Sequence, residues 1–434
     1  MSARQDALQI FHAAVKAVQP SYLLPQHIIL DKQNLSILGA AHALQSIGNI
    51  YIIGAGKAAA AMAVEIEKIL GDNIADGVVT TKYRHSLPTS HIKIIESAHP
   101  VPDDNCDLAV QKTLNLLKTT TEKDIVICLI SGGASSLWCD VPASLTMANL
   151  QNTFDLLLKC GADIQEMNTV RKHLSQIKGG QLLRHTKAKI YSLVISDVVG
   201  DDISAIASGP TVPDPSTFKD AKAILSKYNL IDKVPEAIVN YIEKGISGNI
   251  KETLKAGDPV FNNSKSIIIG NNQVALEAAK FTAEQLGYHV EVNSELIVGD
   301  AVEEAEKLLA KALNSKNSKP TCQLQGGETT VMITGQGKGG RNQHFALSAL
   351  MHFSEDIKKI TILSGGTDGT DGPTDATGAV VDHSSFKKAQ DLQLNFNKYH
   401  TDQDAYNFFN QTDDLIITGP TQTNVMDVMF ALIQ

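Results

Sequence analysis

The chain has no long apolar run. No stretch approaches the ~20 residues that span a bilayer as a helix, so the sequence predicts no membrane anchor. Cysteine is scarce and unpaired in pattern. Five residues (106, 128, 139, 160, 322) with no C-x-x-C motif exclude a disulfide framework and point to a reduced compartment, with Cys128 as a core residue. Positive charge is in deficit: 38 Lys+Arg against 47 Asp+Glu, net −9. That balance argues against a nucleic-acid or anionic-membrane partner. An anionic substrate would therefore need locally concentrated Lys and Arg. Residues 1–20 read as an amphipathic helix rather than a signal peptide. These absences together predict a cytoplasmic protein.

Familiar catalytic signatures are missing too. Gly54-Ala55-Gly56-Lys57 is no Walker A loop, because G-x-x-x-x-G-K-[ST] is not matched. Ser135 and Ser136 lack the G-x-S-x-G elbow of a serine hydrolase. His99 and His344 have no second ligand at zinc spacing. No tandem repeat is evident.

What the chain does have is a recurring device: an apolar strand that spills into glycine and small polar residues. At 434 residues it is long enough for two domains, since a single core rarely grows past roughly 300 residues. Strand signals at Ile50–Ile53, Gly77–Thr81, Ile92–Glu96, Asp124–Ile130 and Lys189–Ile195 alternate with helical stretches. That alternation predicts an α/β fold whose first domain is a doubly wound, mostly parallel sheet with helices on both faces. The pattern weakens between Pro213 and Phe261, which places domains at 1–245 and 246–434, the second a smaller α/β unit. Its expected strands are Ser266–Ile269, His289–Val292, Thr330–Thr334, Ile360–Leu363 and Leu415–Ile417.

The strand ends carry the candidate site. In open α/β sheets ligands bind beyond the carboxyl ends of the strands. There, glycine lets backbone N–H groups approach an anion. The candidates are Gly54, Gly56, Ser131, Gly132, Gly133 and Ser135, then Gly326, Gly327 and Glu328, and finally Gly365, Gly366 and Thr367. Lys57 sits at a helix start, where its charge opposes the helix dipole, so a bound anion explains it better than stability does. Arg341, in GKGGR, supplies a two-pronged donor for carboxylate or phosphate. Asp368, Asp371 and Asp375 offer hard oxygens of the kind magnesium takes beside substrate phosphates. Asp197 ends an otherwise apolar strand and is expected to be paired, metal-bound or at a cleft edge. Arg171, Lys172 and Lys178 read equally well as a solvated basic face. GAGKAA also matches a dinucleotide fingerprint. The second strand lacks the acidic residue that NAD requires, while Lys82 and Arg84 leave NADP open.

Taken together, IGAGKAAAAM (53–62), SAHPVPD (97–103), ISGGASSL (130–137), NTVRKHLSQIKGGQL (168–182), SDVVGDDISAIASGPTVPDPST (196–217), GGETTV (326–331), GKGGRNQ (337–343) and LSGGTDGTDGPTDATGAVVD (363–382) resemble the class II glycerate kinases. The C-terminal part of that family is called MOFRL. Its members carry two labels, glycerate 2-kinase and hydroxypyruvate reductase. The resemblance implies phosphorylation of D-glycerate to 2-phosphoglycerate with ATP and Mg2+, and a two-domain fold, a Rossmann-like N-terminal domain and a second α/β domain, with the active site in the cleft between them. It implies that Lys57 and Arg341 lie at the active site; for phosphoryl transfer Asp197 and Asp368 are then expected as metal ligand and base, in either assignment. Self-association into a homo-oligomer is allowed. The alternative is an NAD(P)H-dependent hydroxypyruvate reductase.

Overall fold

A computed structural model describes residues 2–434. The chain divides into two compact units, one of Leu23–Ile269 and one of residues 2–22 with Gly270–Gln434.

The first unit is built on a six-stranded sheet. Its strands are β1 (Ile50–Ala55), β2 (Ile74–Lys82), β3 (Ile92–Ser97), β4 (Ile125–Ile130), β5 (Lys189–Ile195) and β6 (Ser264–Gly270). They lie in the order β3-β2-β1-β4-β5-β6. The pairs among β1 to β5 are all parallel. This is the strand order of the Rossmann fold, whose switch point lies between β1 and β4. Every residue of β4 is buried, as expected of a parallel strand covered on both faces. Ile53, Val126, Cys128, Ile130 and Val194 pack with Trp138, Ile177 and Leu182 into one core. A small antiparallel sheet of Ile28–Leu30, Asn34–Ile37 and Ala40–Ala43, not anticipated from sequence, precedes the main one.

The second unit carries β7 (His289–Val292), β8 (Ile297–Asp300), β9 (Thr321–Thr330), β10 (Ile360–Gly366), β11 (Gly378–Val381), β12 (Leu415–Ile416) and β13 (Asp427–Ile433). The order is β7-β9-β13-β10-β11-β12, with β8 also on β9. The sheet is mixed: β7 and β8 run parallel to β9, whereas β13 is antiparallel to both β9 and β10. The helix Ala3–Ala17 packs on the helix Asn272–Gln285 and against β10.

Three expectations are corrected. The division falls at 269/270 rather than 245/246, with the first helix in the second unit. Residues beyond 213 stay with the first unit because Phe218, Leu225, Leu230, Ile238 and Ile242 share a core with Leu150, Leu157, Met167 and Val170. The strand around Ser266–Ile269 closes the first sheet instead of opening a second one. Thr330–Thr334 is not a strand: β9 ends at Thr330, and Met332 and Ile333 are 80% and 85% exposed in the loop that follows. No helix among the described residues is long and apolar enough to cross a membrane.

Candidate functional site

In the first unit the sequence candidates meet at the switch point. The turn after β1 and the turn after β4 are laced together by main-chain bonds. The Lys57 N–H donates to the Gly132 carbonyl at 2.9 Å, and the Ser131 N–H donates to that of Ala55 at 3.1 Å. The Ser131 hydroxyl accepts the Ala58 N–H at 3.0 Å. Gly56 (φ +142°) must be glycine here, because a Cβ would lie 2.1 Å from Ser131 Oγ. Buried Ser131 therefore joins the two turns, a role different from the expected phosphate contact.

Lys57 emerges half-buried from this knot. Its neighbour is His99, whose imidazole lies 2.9 Å from where a Cβ on Gly133 would sit. Burial, then the charges of Lys57 and Lys82, push His99 down to about 4, so it is neutral at physiological pH. Asp197, just beyond β5, presses against the same turn. A Cβ on Gly132 would fall 1.9 Å from its Oδ2. A lysine, a neutral imidazole, a carboxylate and two glycine turns thus share one end of the sheet. Such a set can hold an oxyanion on the ammonium while the carboxylate accepts a proton or a cation.

The segment 168–180 is no solvated basic face. Lys172 is buried in an ion pair with Asp214 at 3.3 Å. Lys178, fully buried, donates to the carbonyls of Ser135 (3.0 Å) and Trp138 (2.9 Å), and burial lowers its pKa. It thereby fixes the short helix Ala134–Leu137 behind the glycine turn. Ser135 Oγ lies 3.1 Å from Ser208 Oγ. Ala207 and Ser208 hold left-handed backbone (φ 55° and 58°), which costs non-glycine residues on the order of 1 kcal/mol or more each. The sequence gave no sign of that strain.

In the second unit Arg341 opens the helix Arg341–Met351. Its Nε and Nη2 donate to the two oxygens of Asp427 at 2.6 and 2.9 Å, and its Nη1 lies 3.1 Å from Glu328. Asp427 is completely buried at the start of β13. Burial alone would lower the arginine's pKa, but Asp427 and Glu328 outweigh it and raise it. The two-pronged pairing fixes the guanidinium plane. Glu328, the more exposed partner, is the one an incoming anion could replace. Asp427 was missed from sequence; the available signal was a lone carboxylate leading the apolar run DVMFALI.

The aspartate-rich loop is mostly structural. Asp371 accepts the N–H groups of Asn342 (3.1 Å) and Gln343 (2.8 Å) and so caps the Arg341 helix from a distant segment. Burial, partly offset by those bonds, lifts it to about 6. Asp375 accepts the Tyr406 hydroxyl at 2.8 Å. Asp368 stays half-buried in its turn and accepts the Thr370 N–H at 3.1 Å.

The remaining glycine candidates lie within strands. Gly326 and Gly327 lie inside β9, where a Cβ would strike Asn272 Oδ1 at 1.8 Å or the Ile297 carbonyl at 2.0 Å. Gly365 and Gly366 lie inside β10, and a Cβ on Gly365 would meet the Phe11 ring at 2.8 Å. Gly326, Gly327 and Gly365 thus serve close packing within their strands. Thr367 is fully buried, its hydroxyl occupied by the Met426 carbonyl (2.7 Å) and the Val425 N–H (2.8 Å). A cavity of about 450 Å³ is lined by Glu328, Gly340, Arg341, His344 and Pro373. His344, lowered to about 4 by burial and then by stacked His400 at 4.5 Å, leaves its Nδ1 without a partner.

Comparison with known proteins bears on what these groups do. Residues 6–243 match "Domain of unknown function (DUF4147)" and residues 321–427 match the MOFRL family. Over its whole length the chain is 39% identical to a glycerate 2-kinase of Pyrococcus horikoshii, covering 98% of that protein. It is 37% identical to a D-glycerate 2-kinase of Thermotoga maritima, covering 99% of it. The crystal structure of a glycerate kinase from Thermotoga maritima superposes with a TM-score of 0.87 at 36% identity, with 99% of each chain covered. A crystal structure of a Pyrococcus horikoshii protein gives 0.86 at 38% identity, covering 100% of this chain and 99% of that one.

Proposed function

Because the chain belongs to the class II glycerate kinase (MOFRL) family, we propose that it transfers the γ-phosphoryl group of ATP to D-glycerate, giving 2-phosphoglycerate. The observation that carries the reading is the switch-point cluster of the first unit: Lys57, without an ion pair among the described residues, on a glycine turn that Asp197 abuts. Phosphoryl transfer asks a protein mainly for positioning and charge neutralisation. Lys57 neutralises the phosphoryl oxygens, assisted by the N–H groups of Gly132 and Gly133. Arg341, its plane set by Asp427, binds an anionic oxygen in place of Glu328. The 2-hydroxyl of glycerate attacks the γ-phosphorus and its proton passes to Asp197 or Asp368.

Among the described residues no three His, Cys, Asp or Glu side chains form a ready-made metal cage. A single carboxylate such as Asp197, set against the glycine turn, fits magnesium, which is commonly held by one or two carboxylates plus substrate phosphates. Asp197 or Asp368 would hold it, the other taking the hydroxyl proton, and it would neutralise charge on the transferred phosphoryl group.

The test is release of ADP from ATP in the presence of D-glycerate and magnesium, with the phosphate position of the product read by NMR. The reductase alternative is not favoured, since relatives similar over the whole chain are named glycerate kinases and β2 ends with no acid for the ribose of NAD. NADPH oxidation by hydroxypyruvate without ADP formation would reverse that judgement.

A further inference from the structure

The first unit contains a second cavity, of about 610 Å³, that the catalytic reading leaves unused. It opens beside Ser135 and Ser136, directly after the glycine turn that follows β4. Its walls are largely apolar: the loop Pro100-Val101-Pro102 on one side, and Phe154, Leu158 and Met167 on another. Leu158 and Ile164, both facing this space, are 66% and 56% exposed, so apolar surface is left uncovered at its edge.

Two charges interrupt the apolar lining: Asp155, exposed and paired with Lys159 at 2.8 Å, and Arg171. Arg171 stands with its guanidinium 5.2 Å from the Phe154 ring and forms no ion pair among the described residues. Stacking on a ring leaves the in-plane N–H donors free for an anion. The cation is largely removed from water, and burial lowers its pKa. A desolvated guanidinium without a carboxylate is costly unless a ligand completes it.

Size selects the ligand. Cavities of roughly 300–1,000 Å³ suit drug-sized molecules, and a three-carbon acid would leave most of this one empty. A planar, weakly polar body joined to a phosphate matches both the walls and the cation. We propose that this cavity receives the nucleoside end of the phosphoryl donor, the base lying between the Pro100–Pro102 loop and Leu158/Met167 with Arg171 on a donor phosphate. This rests on the kinase reading and extends it by placing the nucleotide within the first unit.

Trp138, the single tryptophan, is buried on the same short segment, between the cavity-lining Ser136 and Cys139. Its fluorescence therefore reports occupancy, with ADP as the probe. Arg171→Met and Leu158→Glu are compared with the unaltered chain; the second lies on the surface and leaves the fold intact. For both variants we expect the Kd for ADP and the KM for ATP to rise about tenfold or more, with the KM for D-glycerate within twofold of the original. ADP affinity unchanged in Leu158→Glu, or a change confined to the glycerate KM, would overturn the assignment. Failure of the kinase reading is separately visible: the unaltered chain would then form no ADP with D-glycerate at all.

Discussion

A tight geometric demand at the candidate site lies between Gly132 and Asp197. A methyl group at position 132 would be placed 1.9 Å from Asp197 Oδ2. Restoring an ordinary 3.4 Å contact requires the carboxylate to retreat by about 1.5 Å, and a misplacement near 1 Å costs on the order of 100-fold in rate. Gly132→Ala is therefore expected to lower kcat for glycerate phosphorylation roughly 100-fold, equivalent to about 2.7 kcal/mol at the transition state. The backbone at 132 is not in the left-handed region, so the loss should come from displaced groups rather than from unfolding. Because the Gly132 carbonyl also accepts the Lys57 N–H, both the carboxylate and the lysine turn feel the change. ADP release would be followed at saturating ATP and glycerate, with circular dichroism and a thermal melt on the same preparation. A variant that keeps its original kcat, or loses activity only in proportion to folded protein, would refute the reasoning.

Other outcomes follow from the same structure. Lys57→Ala should lower turnover on the order of 1,000-fold while leaving the melting temperature nearly unchanged, as expected for a group that neutralises charge only in the reaction; steady-state kinetics with a melt checks both. Asp427→Asn leaves Arg341 with Glu328 alone, so it should cost about 1–3 kcal/mol in urea unfolding and also lower kcat/KM. Normal values of both would show the pairing to be idle. His99 titrates near 4 when folded against about 6.5 in the open chain. Between those values the unfolded chain binds more protons, so this group's contribution to stability is full above pH 6.5 and is lost as pH falls toward 4. His99→Gln should flatten the rise of urea midpoint with pH across that window. An unchanged slope would contradict the assignment.

The first sheet was readable from sequence because parallel strands covered on both faces are continuous apolar runs. Lys189–Ile195 and Ile92–Glu96 were placed within a residue of the observed limits. The second sheet was harder. β9 mixes Gln, Gly, Glu and Thr with its apolar residues, and the burial of Gln323 and Gln325 comes from tertiary packing that no periodicity announces. β13, the strand that joins the two halves of that sheet, passed unnoticed although DVMFALI is strongly apolar. The glycine turns at 54–57 and 131–133 could be found because apolar runs led into them. Those at 326–327 and 365 looked the same in sequence but lie inside strands, where their missing Cβ atoms make room for Asn272, Ile297 and Phe11. Gly54 and Gly56 are packed as closely, on Leu129 and Ser131, and only three-dimensional neighbours reveal which segment each glycine admits.

The stitch between Ser131 and Ala58 has a consequence for how this region can vary. Position 56 tolerates no side chain while Ser131 Oγ occupies the adjoining space, and Ser131 cannot be shortened to Ala without stranding a buried amide. Two segments about 75 residues apart in sequence therefore behave as one rigid part, shaped before any anion arrives. Engineers grafting either turn onto another scaffold would need to transplant both.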